Sequence, residues 1–123
     1  MMTIHFKDTN PEDVFLMRLF SEQWFKKQKS GGAFSEDYRE KVRRKIYSLS
    51  TNGFIDELER EFIDLRCGFT GKVHTQNDIA QMEKFFGGKT VTQPAVRSKE
   101  ARLFKKLRKE IHPNEFMRQD IAE

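Results

Sequence analysis

The densest group of chemically active side chains in this sequence is basic and lies between residues 97 and 109. Seven Lys or Arg side chains and one acid, Glu100, occur in this stretch. Residues 1–61 balance 11 basic against 11 acidic side chains, so the net charge of +4 comes from the second half of the chain. Concentrated positive charge on one element is typical of a surface that binds nucleic-acid phosphates. The alternative is a helix face that is simply solvated.

Residues that could support catalysis or metal binding are scattered. The three histidines lie far apart and Cys67 is the only cysteine, so no spacing matches a zinc site. The segment Gly87-Gly88-Lys89-Thr90 lacks the first glycine of a phosphate-binding loop. The acids Glu57 and Glu61 are four residues apart, with no nucleophile nearby. We therefore expect no enzyme activity, no metal and no cofactor.

Start and stop signals predict five helices and no strand, which makes the expected fold an all-α helical bundle. The predicted helices span about residues 10–29, 35–49, 54–68, 75–86 and 92–112. Asn10 followed by Pro11 and two acids is a typical helix start. Thr75 and Asp78, three residues apart, predict a capping box at the fourth helix. The fifth helix is expected to bury Val96, Leu103, Leu107 and Ile111, with Phe104 beside them.

The fourth and fifth predicted helices have the layout of a helix-turn-helix, although the connector at 87–91 exceeds its usual turn of roughly 3–4 residues. An inward Val96 leaves Gln93, Arg97 and Ser98 facing outward. Gln can pair with adenine and Arg with guanine, so these three are the expected base contacts. The expected phosphate contacts are Thr75, Lys89, Thr92, Lys99, Arg102, Lys105 and Lys106.

Three segments, in this order, resemble the fourth conserved region of bacterial sigma factors. They are Leu58–Phe69, which contains Leu65-Arg66-Cys67-Gly68; Thr75–Ala80; and Ala101–Arg108, followed by His112-Pro113. In that family a helix ending in Leu-Arg-x-Gly precedes a helix-turn-helix that reads the promoter −35 element and sits on the flap of the RNA polymerase β subunit. The resemblance covers residues 54–113. It implies a C-terminal sigma-like helix-turn-helix, with double-stranded DNA and the polymerase β flap as partners.

The remaining chain divides into a helical N-terminal part at 1–53, expected to contact a protein, and residues 114–123, expected to form a tail or a short terminal helix. The first helix carries two adjacent apolar faces, more than one small core needs, although these aromatics could equally complete the core. We expect Phe15, Phe20 and Trp24 to form an interface with polymerase or within a homodimer. No apolar run is long enough to cross a membrane and no segment resembles a secretory signal, so we expect a cytoplasmic protein without a membrane partner.

These patterns lead to the hypothesis of a sequence-specific DNA-binding transcription regulator that acts with RNA polymerase at promoters. A rival from a different class is a protein-binding mimic, which docks on RNA polymerase or on a sigma factor and inhibits it with little DNA binding. Strong salt dependence of duplex DNA binding separates the two, because phosphate contacts release counterions.

Overall fold

The computed structural model describes residues 10–118, whose regular structure is helical except for one isolated antiparallel bridge between Phe34 and Met117. The α-helices in this range are α1 (Pro11–Phe20), α2 (Glu22–Ser30), α3 (Tyr38–Thr51), α4 (Glu57–Cys67), α5 (Gln76–Ala80) and α6 (Gln93–Leu107). Two 3₁₀ turns, Glu83–Phe85 and Pro113–Phe116, follow α5 and α6. The prediction of an all-α fold is confirmed. None of the helices in residues 10–118 has the length and apolar content that a membrane span requires.

The first predicted helix is broken into two at Ser21. Pro11 occupies the first turn, with acids behind it, as the start signal predicts. The helix ends at Phe20 and does not continue to Lys29, because Ser21 adopts φ 104° and ψ 150°. The Ser21 hydroxyl then caps α2 by accepting a hydrogen bond from the Trp24 amide at 3.2 Å. The prediction of one uninterrupted helix is therefore wrong.

Helices α3 and α4 begin later than their apolar patterns predict. Helix α3 begins at Tyr38, three residues after the start of the predicted range 35–49. Helix α4 begins after Asp56, whose carboxylate accepts from the Glu59 amide while the Glu59 carboxylate accepts from the Asp56 amide. This capping box satisfies amides that the first turn of a helix leaves unpaired, and it fixes the start of α4 at Glu57, three residues beyond the apolar Phe54.

The end of α4 and the start of α5 follow the sequence signals. Gly68 ends α4 with φ 90°, and a Cβ at this position would lie 3.0 Å from Val73 Cγ2. A residue with a side chain would therefore be strained and crowded here. The capping box predicted at Thr75 is confirmed, because the Asp78 amide donates to the Thr75 hydroxyl and the Thr75 amide donates to the Asp78 carboxylate, each at 3.0 Å.

The connector between α5 and α6 is folded back against α5. Helix α5 ends at Ala80, six residues before its predicted end. A 3₁₀ turn follows, which directs the buried Phe85 ring onto Phe62 at a centroid distance of 5.8 Å. Gly87 and Gly88 both adopt positive φ, and the Val91 amide then donates to the Ala80 carbonyl at 2.9 Å. The longer connector therefore brings α6 back beside α5.

Helix α6 buries the apolar stripe that its sequence predicts. The buried members are Val96, Leu103, Phe104, Leu107 and Ile111, of which Ile111 lies just beyond the helix. The helix ends at Leu107 and not near His112, because the chain turns over residues 108–111 before Pro113 starts the last 3₁₀ turn.

One hydrophobic core runs through both predicted parts of the chain. Helix α1 packs against α3, α4 and α6, and the Phe15 ring lies 5.9 Å from the Phe104 ring. Phe116 is buried against the rest of the core, so residues 114–118 belong to the fold and are not a tail. Residues 119–123 lie outside the described range. The division at residue 53 does not separate two cores, and its functional meaning stays a prediction.

Candidate nucleic-acid interface

Helix α6 presents one polar face to solvent along most of its length. Arg97, Ser98, Ala101, Arg102 and Lys105 are all exposed. Spacings of three and four residues make them neighbours on one side of the helix. The 15 residues of α6 extend over about 22 Å. The outward placement expected for Arg97 and Ser98 is therefore present in the structure.

The acid in α6 is turned away from this exposed face. The Glu100 carboxylate accepts hydrogen bonds from Nε and Nη2 of Arg66 on α4, and it lies 3.8 Å from Nη1 of Arg18 on α1. Arg66 is buried, and the side chain of Glu100 is 14% exposed. Because this acid is neutralised inside the fold, it does not weaken the positive potential of the outer face.

The predicted phosphate contacts of α6 separate into two groups. Arg102 and Lys105 are exposed, and neither has an ion-pair partner within residues 10–118. Lys106 lies on another side of the helix, where its ammonium is 3.1 Å from both carboxylate oxygens of Glu59 and 5.1 Å from the Phe54 ring centroid. The structure pairs Lys106 with α4 and disfavours the expected phosphate contact there, which stays a prediction.

Lys99 is also displaced from the outer face. Its ammonium lies 5.7 Å from the centroid of the Phe86 ring, next to the connector. Lys89 is exposed in the connector itself. Of these two expected phosphate contacts, Lys89 is exposed and Lys99 is half-buried.

The polar residues at the starts of α5 and α6 differ in whether their side chains already make hydrogen bonds within the protein. Thr75 is exposed, but its hydroxyl is committed to the α5 cap, and its amide holds the pKa of Asp78 below the ordinary value. Thr92 precedes α6 as expected, yet its side chain makes no capping hydrogen bond. Gln93 is half-buried, and its amide nitrogen donates to Gln76 on α5. Its amide group is therefore engaged within the protein.

Three residues that were not predicted as site residues lie on the inner side of α6, away from its exposed face. Arg66 and Glu100 form the buried ion pair, and Gln76 donates from Nε2 to Glu100 Oε1 at 3.2 Å. They line a cleft of about 420 Å³ between α1, α4, α5 and α6, together with Gln93. Sequence signals existed for two of them, since Arg66 belongs to the segment Leu65-Arg66-Cys67-Gly68 and Gln76 follows the helix cap at the first position of α5, but neither signal marks Glu100 as the partner.

The three predicted interface aromatics do not share one environment. Phe15 is 0% exposed and packs on Phe104, so it belongs to the core and not to a contact surface. Phe20 and Trp24 are partly exposed, with ring centroids 4.9 Å apart, and Trp24 also meets Phe34 edge-on. A surface that a partner could touch therefore remains only at the latter two.

The lone cysteine is buried, and no metal-binding cluster occurs in the part of the chain that the structure describes. Burial raises the pKa of the Cys67 thiol to about 12. Among residues 10–118, no three His, Cys, Asp or Glu side chains are close enough to hold a metal ion. His5 lies outside the described residues.

Comparisons of this chain with protein-family models, with curated proteins and with solved structures found no match.

Proposed function

We propose that this protein binds duplex DNA in a sequence-specific manner and regulates transcription together with RNA polymerase. The observation that carries the proposal is the outer face of α6, where Arg97, Arg102 and Lys105 are exposed and the one acid of the helix is turned inward. Such a face attracts phosphates and leaves an Arg side chain free to approach a base edge. The proposal assigns the chain no catalytic step and places its work in the cytoplasm.

The dimensions of α6 suit a major groove. The groove of B-form DNA is about 12 Å wide and admits one α-helix. Arg97 and Ser98 lie in the first turns of α6, the end that a recognition helix commonly directs toward base edges. Arg102 and Lys105 lie one to two turns farther on, where contact with the phosphates at the groove edge fixes position.

The proposed role at promoters rests on the resemblance to the fourth region of sigma factors. Two features support it. Helix α4 ends at Gly68 and precedes α5 in the chain, and α5 packs beside α6. The partly exposed pair Phe20 and Trp24 offers an apolar contact for polymerase or for a second copy, because large aromatics contribute strongly at interface centres.

Fluorescence anisotropy with labelled duplex DNA over a range of salt concentrations tests the DNA-binding proposal. The double variant Arg102→Ala/Lys105→Ala should weaken binding to every sequence and flatten the plot of log K against log salt by about two units. Lys106→Gln is the matched control, because that ammonium already pairs with Glu59 and should leave the slope unchanged. An unchanged slope in the double variant would mean that the exposed face is only solvated.

A second candidate is a protein-binding mimic that inhibits polymerase or a sigma factor. It is favoured by two large apolar side chains that are exposed outside α6, Tyr47 at 65% on α3 and Leu58 at 44% on α4. A pull-down from bacterial lysate after nuclease treatment addresses this candidate. Retention of polymerase subunits, combined with a flat salt dependence on duplex DNA, would favour the mimic over the DNA-binding regulator.

A further inference from the structure

A continuous chain of hydrogen bonds connects the protein interior to the candidate base-reading residue. Arg97 Nη2 lies 3.4 Å from Gln93 Oε1, and Gln93 Nε2 donates to Gln76 Oε1. Gln76 Nε2 then donates to Glu100 Oε1 at 3.2 Å. Arg97, Gln93 and Glu100 lie on α6 and Gln76 lies on α5, so the chain crosses from α6 to α5 and back again.

The inner end of this chain is fixed by burial. Glu100 is held by Nε and Nη2 of Arg66, and the third guanidinium nitrogen, Nη1, donates to the His74 carbonyl at 2.8 Å. Arg66 is only 6% exposed. A buried ion pair that loses one partner leaves an uncompensated charge, so Glu100 is not free to turn outward.

The chemistry of the groups gives the chain a single direction. A carboxylate only accepts hydrogen bonds, so Gln76 must turn its NH₂ toward Glu100 and its oxygen toward Gln93. Gln93 must then direct its NH₂ at Gln76, which leaves its oxygen toward Arg97. An Arg side chain only donates hydrogen bonds, so Arg97 supplies the donor that the Gln93 oxygen needs, and the chain ends there. Reversing either amide would break hydrogen bonds on both of its sides.

We propose that Gln76, Gln93 and Glu100 are positioning residues that orient Arg97 toward a guanine. One guanidinium nitrogen is held by Gln93, and the remaining donors of Arg97 face solvent with the fork that pairs with O6 and N7 of guanine. Gln93 acts through Arg97 and does not read an adenine of its own, which differs from the role its residue type suggested. This inference rests on the proposed DNA-binding function.

The experiment selects binding sites from a randomised duplex DNA pool with the wild-type protein and with variants. Arg97→Ala should reduce the preference for one guanine by about 5- to 150-fold, the range of one bidentate pair. Gln76→Met retains side-chain length without donors or acceptors, and it should lower the preference at that same base pair. Gln93→Ala should do likewise. Asn77→Ala, an exposed neighbour lining the same cleft, is the matched control and should leave the selected site unchanged.

A double-mutant cycle between positions 93 and 97 distinguishes positioning from independent reading. Positioning predicts that Gln93→Ala adds little once Arg97 is alanine, because its effect passes through the guanidinium. If Gln93→Ala instead abolishes preference at a different base pair and its effect adds to that of Arg97→Ala, the inference is wrong and the proposed function stands.

An NMR measurement on the free protein tests the chain without DNA. The side-chain NH₂ signals of Gln93 should exchange slowly with solvent, and Gln76→Met should accelerate that exchange, while Asn77→Ala should not. Glu100→Gln provides a second variant that keeps the shape but removes the carboxylate, and it should disturb the same signals. Fast exchange of the Gln93 amide in the wild type overturns the inference. If the wild-type protein selects no preferred sequence from the DNA pool, the proposed function is wrong as well, even if the Gln93 NH₂ group exchanges slowly.

Discussion

Substitution of Ser21 tests the break between α1 and α2 directly. The residue adopts φ 104° and ψ 150°, a conformation that residues other than glycine rarely adopt, and such strain costs about 1–3 kcal/mol. Ser21→Gly relieves that strain. Against this gain stand the backbone entropy of glycine, about 0.5–1 kcal/mol, and the lost cap to Trp24, worth a few tenths of a kcal/mol when glycine replaces serine.

The balance predicts that Ser21→Gly is stabilised by about 0–2 kcal/mol. Ser21→Ala keeps the strain and loses the cap, which predicts a loss of about 0.5–2 kcal/mol. Urea unfolding followed by circular dichroism and by Trp24 fluorescence gives the free energies, and unchanged m values would show that the same transition is compared.

The opposite ranking would refute this reasoning. If alanine stabilised the protein and glycine destabilised it by 1 kcal/mol or more, Ser21 would lie inside a regular helix, where alanine is favoured over glycine by about 1 kcal/mol. Helices α1 and α2 would then form the single helix that the apolar pattern predicts.

Three further predictions concern buried groups. Phe15→Ala should cost about 3–5 kcal/mol in urea unfolding, and a loss below 1 kcal/mol would return this ring to a partner surface. Because burial raises the pKa of the Cys67 thiol to about 12, the folded protein should react with Ellman's reagent at pH 8 only as fast as it unfolds; immediate labelling without urea would contradict the burial. Burial alone would raise the pKa of Asp13, but hydrogen bonds from Arg39 and Tyr38 and the charge of Lys29 lower it overall. The Asp13 carboxylate therefore stabilises the folded protein at pH values above its unfolded-state pKa, and this stabilisation is lost as the pH falls through the lower folded-state pKa. The difference in unfolding free energy between wild type and Asp13→Asn should accordingly shrink below about pH 4. A gap that stays constant from pH 7 to pH 3 would show that the carboxylate is unpaired.

Counting charges in residues 97–109 overestimates the number of cations that are available to bind phosphate. Seven cations lie close together in the sequence, yet Lys106 is bound by Glu59, and Arg108 donates to the Leu19 carbonyl at 3.0 Å. These two tie α6 to α4 and to α1. Within α6, the exposed cations are Arg97, Arg102 and Lys105, so phosphate binding is expected from a narrower face than the seven cations of this stretch suggest.

Features that depend on neighbours within four residues could be predicted from the sequence. The start at Pro11, the capping box of Thr75 with Asp78, the glycine end at Gly68 and the buried face of α6 around Val96 all arise from hydrogen bonds or periodicity inside one helix turn or two. The outward direction of Arg97 follows from the same periodicity.

The ion pairs that involve residues of α6 were decided only by the tertiary structure. Arg66 and Glu100 are 34 residues apart and Lys106 and Glu59 are 47 apart, so no local pattern marks them as partners. The break at Ser21 is likewise absent from the apolar pattern, and beyond it the Trp24 and Phe25 rings of α2 contact Phe34. Residue types therefore predicted which side chains could bind DNA, whereas the fold decided which charges are already paired, because pairing depends on distances that only the folded chain creates.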